Sequence, residues 1–365
     1  MQARGQLPAL IGSNEPRAIW VQLQTPAVLV IMLGLIALVS SHFGGLSQTL
    51  TEMMVRVVLV VGLYVFVGNS GILSFGHISF MSIGAYAFVW LSCCTLPMLK
   101  PMNLRGLPAF LQHIALPSPV GLLGAAALAG AVAIVVGAIL MRLSGTAASI
   151  ATFAFLAGQY AFYMNWNGVT GGTALLSNLP VFVGPAVGTG LAALTILVAW
   201  LHQESRYGFM LRAARDDQTA AKGSGVNVWF VRTVAFGLSG LIVGVGGAMH
   251  AGFLGIVTVD AFYLPLTFLT LAMLIVGGSG SLSGAVIGVV ALTAVTEILR
   301  RFEAGVPVGN MVLSLPAGLQ EVGLGLIIIL VMMFRPAGIM GGRELTFGSL
   351  WPGRRLSQGV GYRRS

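Results

Sequence analysis

Charge is scarce in this chain: only 8% of its residues are charged, and only ten are carboxylates. A soluble globular fold needs far more polar surface to cover its core, so the composition excludes one. The scattered acids form no acid–base constellation of the kind a proton-coupled carrier needs. Cysteine is nearly absent. Cys93 and Cys94 are adjacent within an apolar run, where they build neither a disulfide framework nor a tetrahedral metal site, and they read as buried small hydrophobes. No metal or cofactor is expected. The glycine-rich stretch GGSGSLSG at 277–284 lacks the Lys-Ser/Thr pair of a phosphate-binding loop, so this chain is not expected to hydrolyse ATP itself. Basic residues outnumber acidic ones, 19 to 10. They lie in short hydrophilic breaks without interleaved aromatics, which argues against nucleic acid as a partner. The N-terminus lacks a charged start followed at once by an apolar core and a cleavage site. Residues 1–25 therefore read as a cytosolic tail, and the first span as retained.

What fills the chain is apolar: 56% of residues are hydrophobic and the mean hydropathy is +0.92. About twenty mostly apolar residues cross a hydrocarbon core roughly 30 Å thick. On that rule ten spans are predicted, near residues 26–46, 51–69, 74–96, 119–141, 147–165, 183–202, 228–252, 264–279, 283–300 and 316–334. The fold class is therefore all-α and polytopic. A transmembrane domain covers 26–335 with a cytosolic segment at 203–227 inside it, and a basic cytosolic tail covers 336–365. Alternation outward from that segment puts both termini inside. It leaves fourteen of the nineteen basic residues on the inner side, with Arg56, Lys100, Arg105, Arg300 and Arg301 outside, the asymmetry that the positive-inside rule expects.

Small residues recur on helix faces. Gly240, Gly244, Ala248 and Gly252 repeat every fourth position, which lets two backbones approach closely where no hydrophobic force drives helices together. Gly284 and Gly288 repeat the pattern, and packing is the plain reading. Residues 206–222, RYGFMLRAARDDQTAAK, are a charged interruption in this apolar background. As one helix they place Ala213, Ala214, Ala220 and Ala221 on one side and Arg212, Arg215, Asp216, Thr219 and Lys222 on the other. Such a helix suits a groove in another protein, with alanine allowing close approach and charge fixing orientation. An ordinary solvated loop has the same composition.

Two glycine-rich breaks stand out, one holding Gly71, Ser74, Gly76 and His77, the other Thr170, Gly171, Gly172 and Thr173. Irregular backbone at membrane depth is tolerated where it is buried in protein or lines a path, and a discontinuous helix leaves N–H and C=O groups free to meet a zwitterionic ligand. The first break reads as a lining element of the translocation pathway or as a cytosolic turn, the second as part of the outer mouth or as a capped loop. Glu52 with Arg56, and Glu297 with Arg300 or Arg301, have the spacing of pairs on one helix face. The isolated His77 and His250 read as packing residues.

Six stretches carry a resemblance: GILSFGHISFMSIGAY at 71–86, NGVTGGT at 167–173, YGFMLRAARDDQTAAKGSGVNV at 207–228, GLIVGVGGAMHAG at 240–252, GGSGSLSGAVIG at 277–288 and FRPAGIMGG at 334–342. In this order, from the third span to the last, they resemble the permease subunits of the branched-chain amino-acid ABC importer family. The resemblance implies a multi-pass protein of the bacterial inner membrane that forms half of a translocation pathway. It implies three partners: ABC ATP-binding subunits, a second permease subunit and a periplasmic substrate-binding protein. The coupling element on the ATP-binding subunit would be the segment with Arg212, Ala213, Ala214, Arg215, Asp216, Ala220 and Ala221. Branched-chain amino acids are the implied cargo, with urea or short amides as the alternative. A secondary carrier or a channel would show intramembrane carboxylates, a sodium site or rings of like charge, and none stands out.

Overall fold

The computed structural model describes residues 16–41, 46–93, 100, 104–112, 114–304, 306–308, 311–313 and 318–345. Over these the chain is a polytopic all-α protein. The first six long helices are α1 (Pro16–Ser41), α2 (Ser47–Ser70), α3 (His77–Ser92), α4 (Ser118–Leu140), α5 (Thr146–Asn165) and α6 (Pro185–Glu204). Two short helices follow, α7 (Arg206–Asp216) and α8 (Gln218–Gly223), and then α9 (Val228–Leu254), α10 (Leu264–Gly277), α11 (Leu282–Ala304) and α12 (Leu319–Phe334). By length and composition α2, α4, α6, α9 and α11 are apolar enough to cross a membrane, and α1, α3, α10 and α12 hold shorter apolar stretches. Each predicted span meets one helix. The first helix begins at Pro16 and runs through Pro26, so part of the expected N-terminal tail is helical. A short antiparallel hairpin, β1 (Val306–Val308) with β2 (Met311–Leu313), pairs Val306 with Leu313; the span-based reading had no place for it.

The centre of the bundle is α2, α3 and α9. A helix that is apolar all round belongs inside, and α2 is buried along nearly its whole length from Met53 to Ser70. The expected small-residue face on α9 meets several neighbours rather than one. Gly240 abuts Ala133 and Gly244 abuts Ala129, both on α4, while the backbone of Gly244 also touches Gly84 of α3. Ala248 is fully buried, and Gly252 abuts Phe182 in the loop before α6. The α4 side of this seam is itself a run of small buried residues, among them Ala125, Ala129, Ala133 and Gly137. Gly288 of α11 lies on the backbone of α10, where an added Cβ would come within 2.9 Å of Gly277.

The loops gather at two ends. At one, Trp90 donates through Nε1 to the carbonyl of Val169, and Gly106 N–H to that of Gly168. Leu176 exchanges backbone bonds with Val257 there, at 3.0 and 2.9 Å. Lys100, almost fully buried, donates from Nζ to the carbonyls of Trp90 and Ile114, both at 2.6 Å. Glu52 pairs with Arg56, and Glu297 with Arg300 and Arg301. Cys93 is buried; Cys94 lies outside the described residues. The other end carries the loop 71–76, helices α7 and α8, the α10–α11 turn and the segment after α12.

Candidate functional site

The charged segment is an elbow, not one helix. Ser205 caps α7, its Oγ accepting from the N–H of Gly208 at 3.3 Å. At Asp217 the backbone turns extended, with φ −149° and ψ 107°. The Asp217 carboxylate then caps α8, accepting from the N–H groups of Thr219 at 2.7 Å and Ala220 at 3.0 Å. These two backbone bonds hold its pKa below the usual carboxylate value. Asn227 caps α9 through the N–H of Phe230. Asp, Asn and Ser at successive helix starts satisfy donors the helices leave orphaned.

The alanines divide between two faces. Ala214 and Ala221 turn inward and pack with Val228, whereas Ala213, Asp216 and Ala220 are exposed. The four alanines do not form one stripe: positions seven apart keep the same side, but adjacent positions differ by about 100° around a helix, so Ala213 with Ala220 and Ala214 with Ala221 divide between the outer and inner faces. Phe209 and Met210 are exposed on the same elbow, and the Arg212 guanidinium lies 4.7 Å from the centre of the Phe209 ring. The two arginines turn back onto the chain: Arg212 donates from Nη1 to Asn69 Oδ1 at 3.2 Å, and Arg215 from Nη1 to the carbonyl of Gly68 at 2.6 Å. Both contacts fall at the C-terminus of α2, where the helix dipole favours a cation.

The loop that follows α2 is the first glycine-rich break. Gly71 ends α2 in the left-handed region, φ 71°, and a Cβ there would lie 2.9 Å from Cγ of Arg215. Only glycine satisfies both demands. Ser74 and His77 are buried, with Ser74 Oγ 2.7 Å from His77 Nδ1. The imidazole sits among Phe66, Phe80 and Phe236 at centroid distances of 5.6, 6.0 and 5.0 Å. Gly76 lies against α5, where a Cβ would be 2.6 Å from the carbonyl of Thr152. The N–H of Phe75 donates to Thr152 Oγ1.

The second break is elsewhere. Thr170 donates from Oγ1 to the carbonyl of Tyr163 at 2.6 Å and accepts from the N–H of Gly172 at 3.3 Å. Gly171 and Gly172 have φ of 76° and 61°, and Thr173 is exposed. Trp90, near the end of α3, binds this loop, whereas His77 opens α3, so the two breaks lie at opposite ends of a 16-residue helix, about 24 Å apart. The structure thus places Gly71, Ser74, Gly76 and His77 at the elbow end, with Gly71 against Arg215, and leaves Thr170 to Thr173 at the other end.

Sequence reasoning passed over Gln203 and Glu344. Gln203 Oε1 accepts from the hydroxyl of Tyr64 at 3.0 Å, and Glu344 binds the start of α11. The available signal was scarcity, since no other carboxylate follows Glu321 in the sequence.

Comparison with known proteins matches residues 45–333 to the family described as the branched-chain amino acid transport system permease component. The chain is 26% identical to the high-affinity branched-chain amino acid transport system permease protein LivM of Salmonella typhimurium, over 92% of this chain and 77% of LivM. It is 25% identical to LivM of Escherichia coli over the same shares. The autoinducer 2 import system permease protein LsrC of Salmonella paratyphi B is 26% identical over 53% of this chain and 55% of LsrC. No solved structure matches the chain. With the family match spanning most of its length and several apolar helices long enough to cross a membrane inside that span, the chain belongs to the branched-chain amino acid transport permease family and is a multi-pass protein of the bacterial inner membrane.

Proposed function

We propose that this chain is one permease subunit of an ATP-driven importer of branched-chain amino acids. The α7–α8 elbow docks on a separate ATP-binding subunit, a second permease completes the pathway, and a periplasmic binding protein delivers the cargo. The observation that supports this reading best is the elbow itself. It presents Phe209, Ala213, Asp216 and Ala220 outward while Arg212 and Arg215 fasten it to the C-terminal turn of α2. A displacement imposed on the outer face therefore reaches α2, which is buried along nearly its whole length, through these two bonds. The chain's own residues supply no hydrolytic chemistry; ATP is hydrolysed in the partner subunit, and selectivity rests largely on the binding protein. LivM, named for branched-chain amino acid transport, aligns over most of this chain, whereas LsrC, named for autoinducer 2 import, aligns over about half, which favours amino acids over a cargo like autoinducer 2. Reconstituted with its partners in vesicles, the chain is expected to take up labelled leucine or isoleucine only when ATP is present on the elbow side. Uptake without ATP, or uptake of urea in preference to leucine, rejects the reading.

A further inference from the structure

Glu344 lies beyond α12 and has no part in the elbow's docking face, yet its side chain is among the most heavily bonded of the described residues. Its carboxylate accepts from the N–H of Leu282 at 2.8 Å, the N–H of Ser283 at 2.9 Å and Oγ of Ser283 at 2.6 Å. The two amides are orphan donors of the first turn of α11, and a carboxylate is favoured at a helix N-terminus. Oε1 also accepts from Nε2 of Gln203 at 3.4 Å. Gln203 stands in the last turn of α6, just ahead of the elbow, and its other amide atom holds Tyr64 of α2. The segment that carries Glu344 is pinned in place. Ile339 N–H donates to the carbonyl of Val276 at 2.8 Å, Met340 N–H to that of Gly277 at 3.1 Å, and Leu345 N–H to Ser283 Oγ at 2.9 Å. Beneath it, Gly277 and Gly288 bring the backbones of α10 and α11 into direct contact, so those helices shift as a pair.

We infer that Glu344 is a positioning residue of the transport cycle: it ties the first turn of α11 to Gln203 at the root of the elbow, so that movement of the elbow is passed to the α10–α11 pair. The inference rests on the ATP-driven reading above. Its bonds to α11 alone would serve as a helix cap; the bond to Gln203 is what makes a transmission path. The two roles separate by variant, because Gln203→Leu removes the tie, together with the bond from Tyr64 that Tyr64→Phe removes by itself, and leaves the cap, whereas Glu344→Ala removes tie and cap.

The test is amide hydrogen exchange on the assembled transporter, with and without a non-hydrolysable ATP analogue, together with amino acid moved per ATP hydrolysed. In the unaltered protein the nucleotide should change exchange both in the elbow and in the turn at 278–284. Gln203→Leu should confine the change to the elbow and lower the transport-to-hydrolysis ratio about fivefold, the equivalent of one lost hydrogen bond. Glu344→Ala should do the same and also speed exchange at Leu282 and Ser283 about fivefold, as loss of a cap does. A nucleotide response in the 278–284 turn that survives Gln203→Leu, with an unchanged ratio, overturns the inference. If Glu344→Ala fails to assemble, Gln203→Leu decides alone. A complex that responds to nucleotide at both places but moves no branched-chain amino acid rejects the substrate reading and leaves this one standing.

Discussion

Single side chains decide how the elbow meets the bundle. Arg212 and Arg215 bind Asn69 and Gly68, so reversing both charges places two carboxylates against a backbone carbonyl and the negative end of the α2 dipole. Arg212→Glu with Arg215→Glu is expected to abolish ATP-dependent uptake while insertion into the membrane stays normal. Uptake at the unaltered rate in vesicles carrying equal protein would show that these contacts carry no force. Gly71→Val should weaken the same junction by about 1–2 kcal/mol through its left-handed backbone alone. Asp217 gives a pH handle. Its pKa is depressed by the amides it caps, so its contribution to α8 is fully present above the ordinary value of 3.8 and disappears as pH falls through the lower, folded value. The amide signals of Thr219 and Ala220 should therefore begin to titrate only below that ordinary value, and a midpoint above it would contradict the capping role.

At the scale of helices, the seam between α4 and α9 sets how close the bundle packs. Gly244 touches both Ala129 and the backbone at Gly84, so leucine there forces three helices apart. Gly244→Leu should cost several kcal/mol, the upper range for overpacking a filled core, and should sharply reduce the amount of folded protein recovered in detergent. Gly288→Ala is no mild control, because its new methyl group would meet the α10 backbone. Gly190→Ala is one, since nothing lies within 4 Å of its added Cβ. Equal recovery of Gly244→Leu and Gly190→Ala would remove the close-packing argument. The helices themselves were legible in the sequence because twenty apolar residues between polar breaks have few other uses in a membrane protein. Periodicity also marked Gly240, Gly244, Ala248 and Gly252, but not that their partners would be α4, α3 and a loop, since spacing along one helix says nothing of what faces it. The elbow was legible as charged and misread as continuous: Asp217 looks like a surface acid until its side chain is seen capping a new helix. Glu344 and Gln203 were illegible for a related reason, as each acts through a neighbour more than a hundred residues away.

Across the whole molecule the loops sort into two ends, and the basic residues sort with them. Arg142, Arg206, Arg212, Arg215, Lys222, Arg232, Arg335 and Arg343 lie at or near the elbow end among the described residues, with Arg56, Lys100, Arg105, Arg300 and Arg301 at the other. Trp229 at the start of α9 donates to the carbonyl of Ala138 at the end of α4, which places Arg142 with the elbow. Leu116 ahead of α4 donates to the carbonyl of Leu91 at the end of α3, which places that loop at the opposite end. By the positive-inside rule the elbow end should face the cytosol. The comparison is between Thr219→Cys and Ala115→Cys, both exposed positions on connecting segments, in a protein whose two native cysteines have been replaced. In intact cells a membrane-impermeant thiol reagent that crosses only the outer membrane should label Ala115→Cys alone; opening the cytosolic side should add Thr219→Cys. Labelling of Thr219→Cys in intact cells would put the elbow on the side where ATP is absent, and the proposed docking surface would have no ATP-binding subunit to meet. Labelling of both only after opening would mean instead that the helices between them cross the membrane an even number of times, which the hydrogen bonds that draw residues 104–117 to the Trp90 end of α3 do not permit.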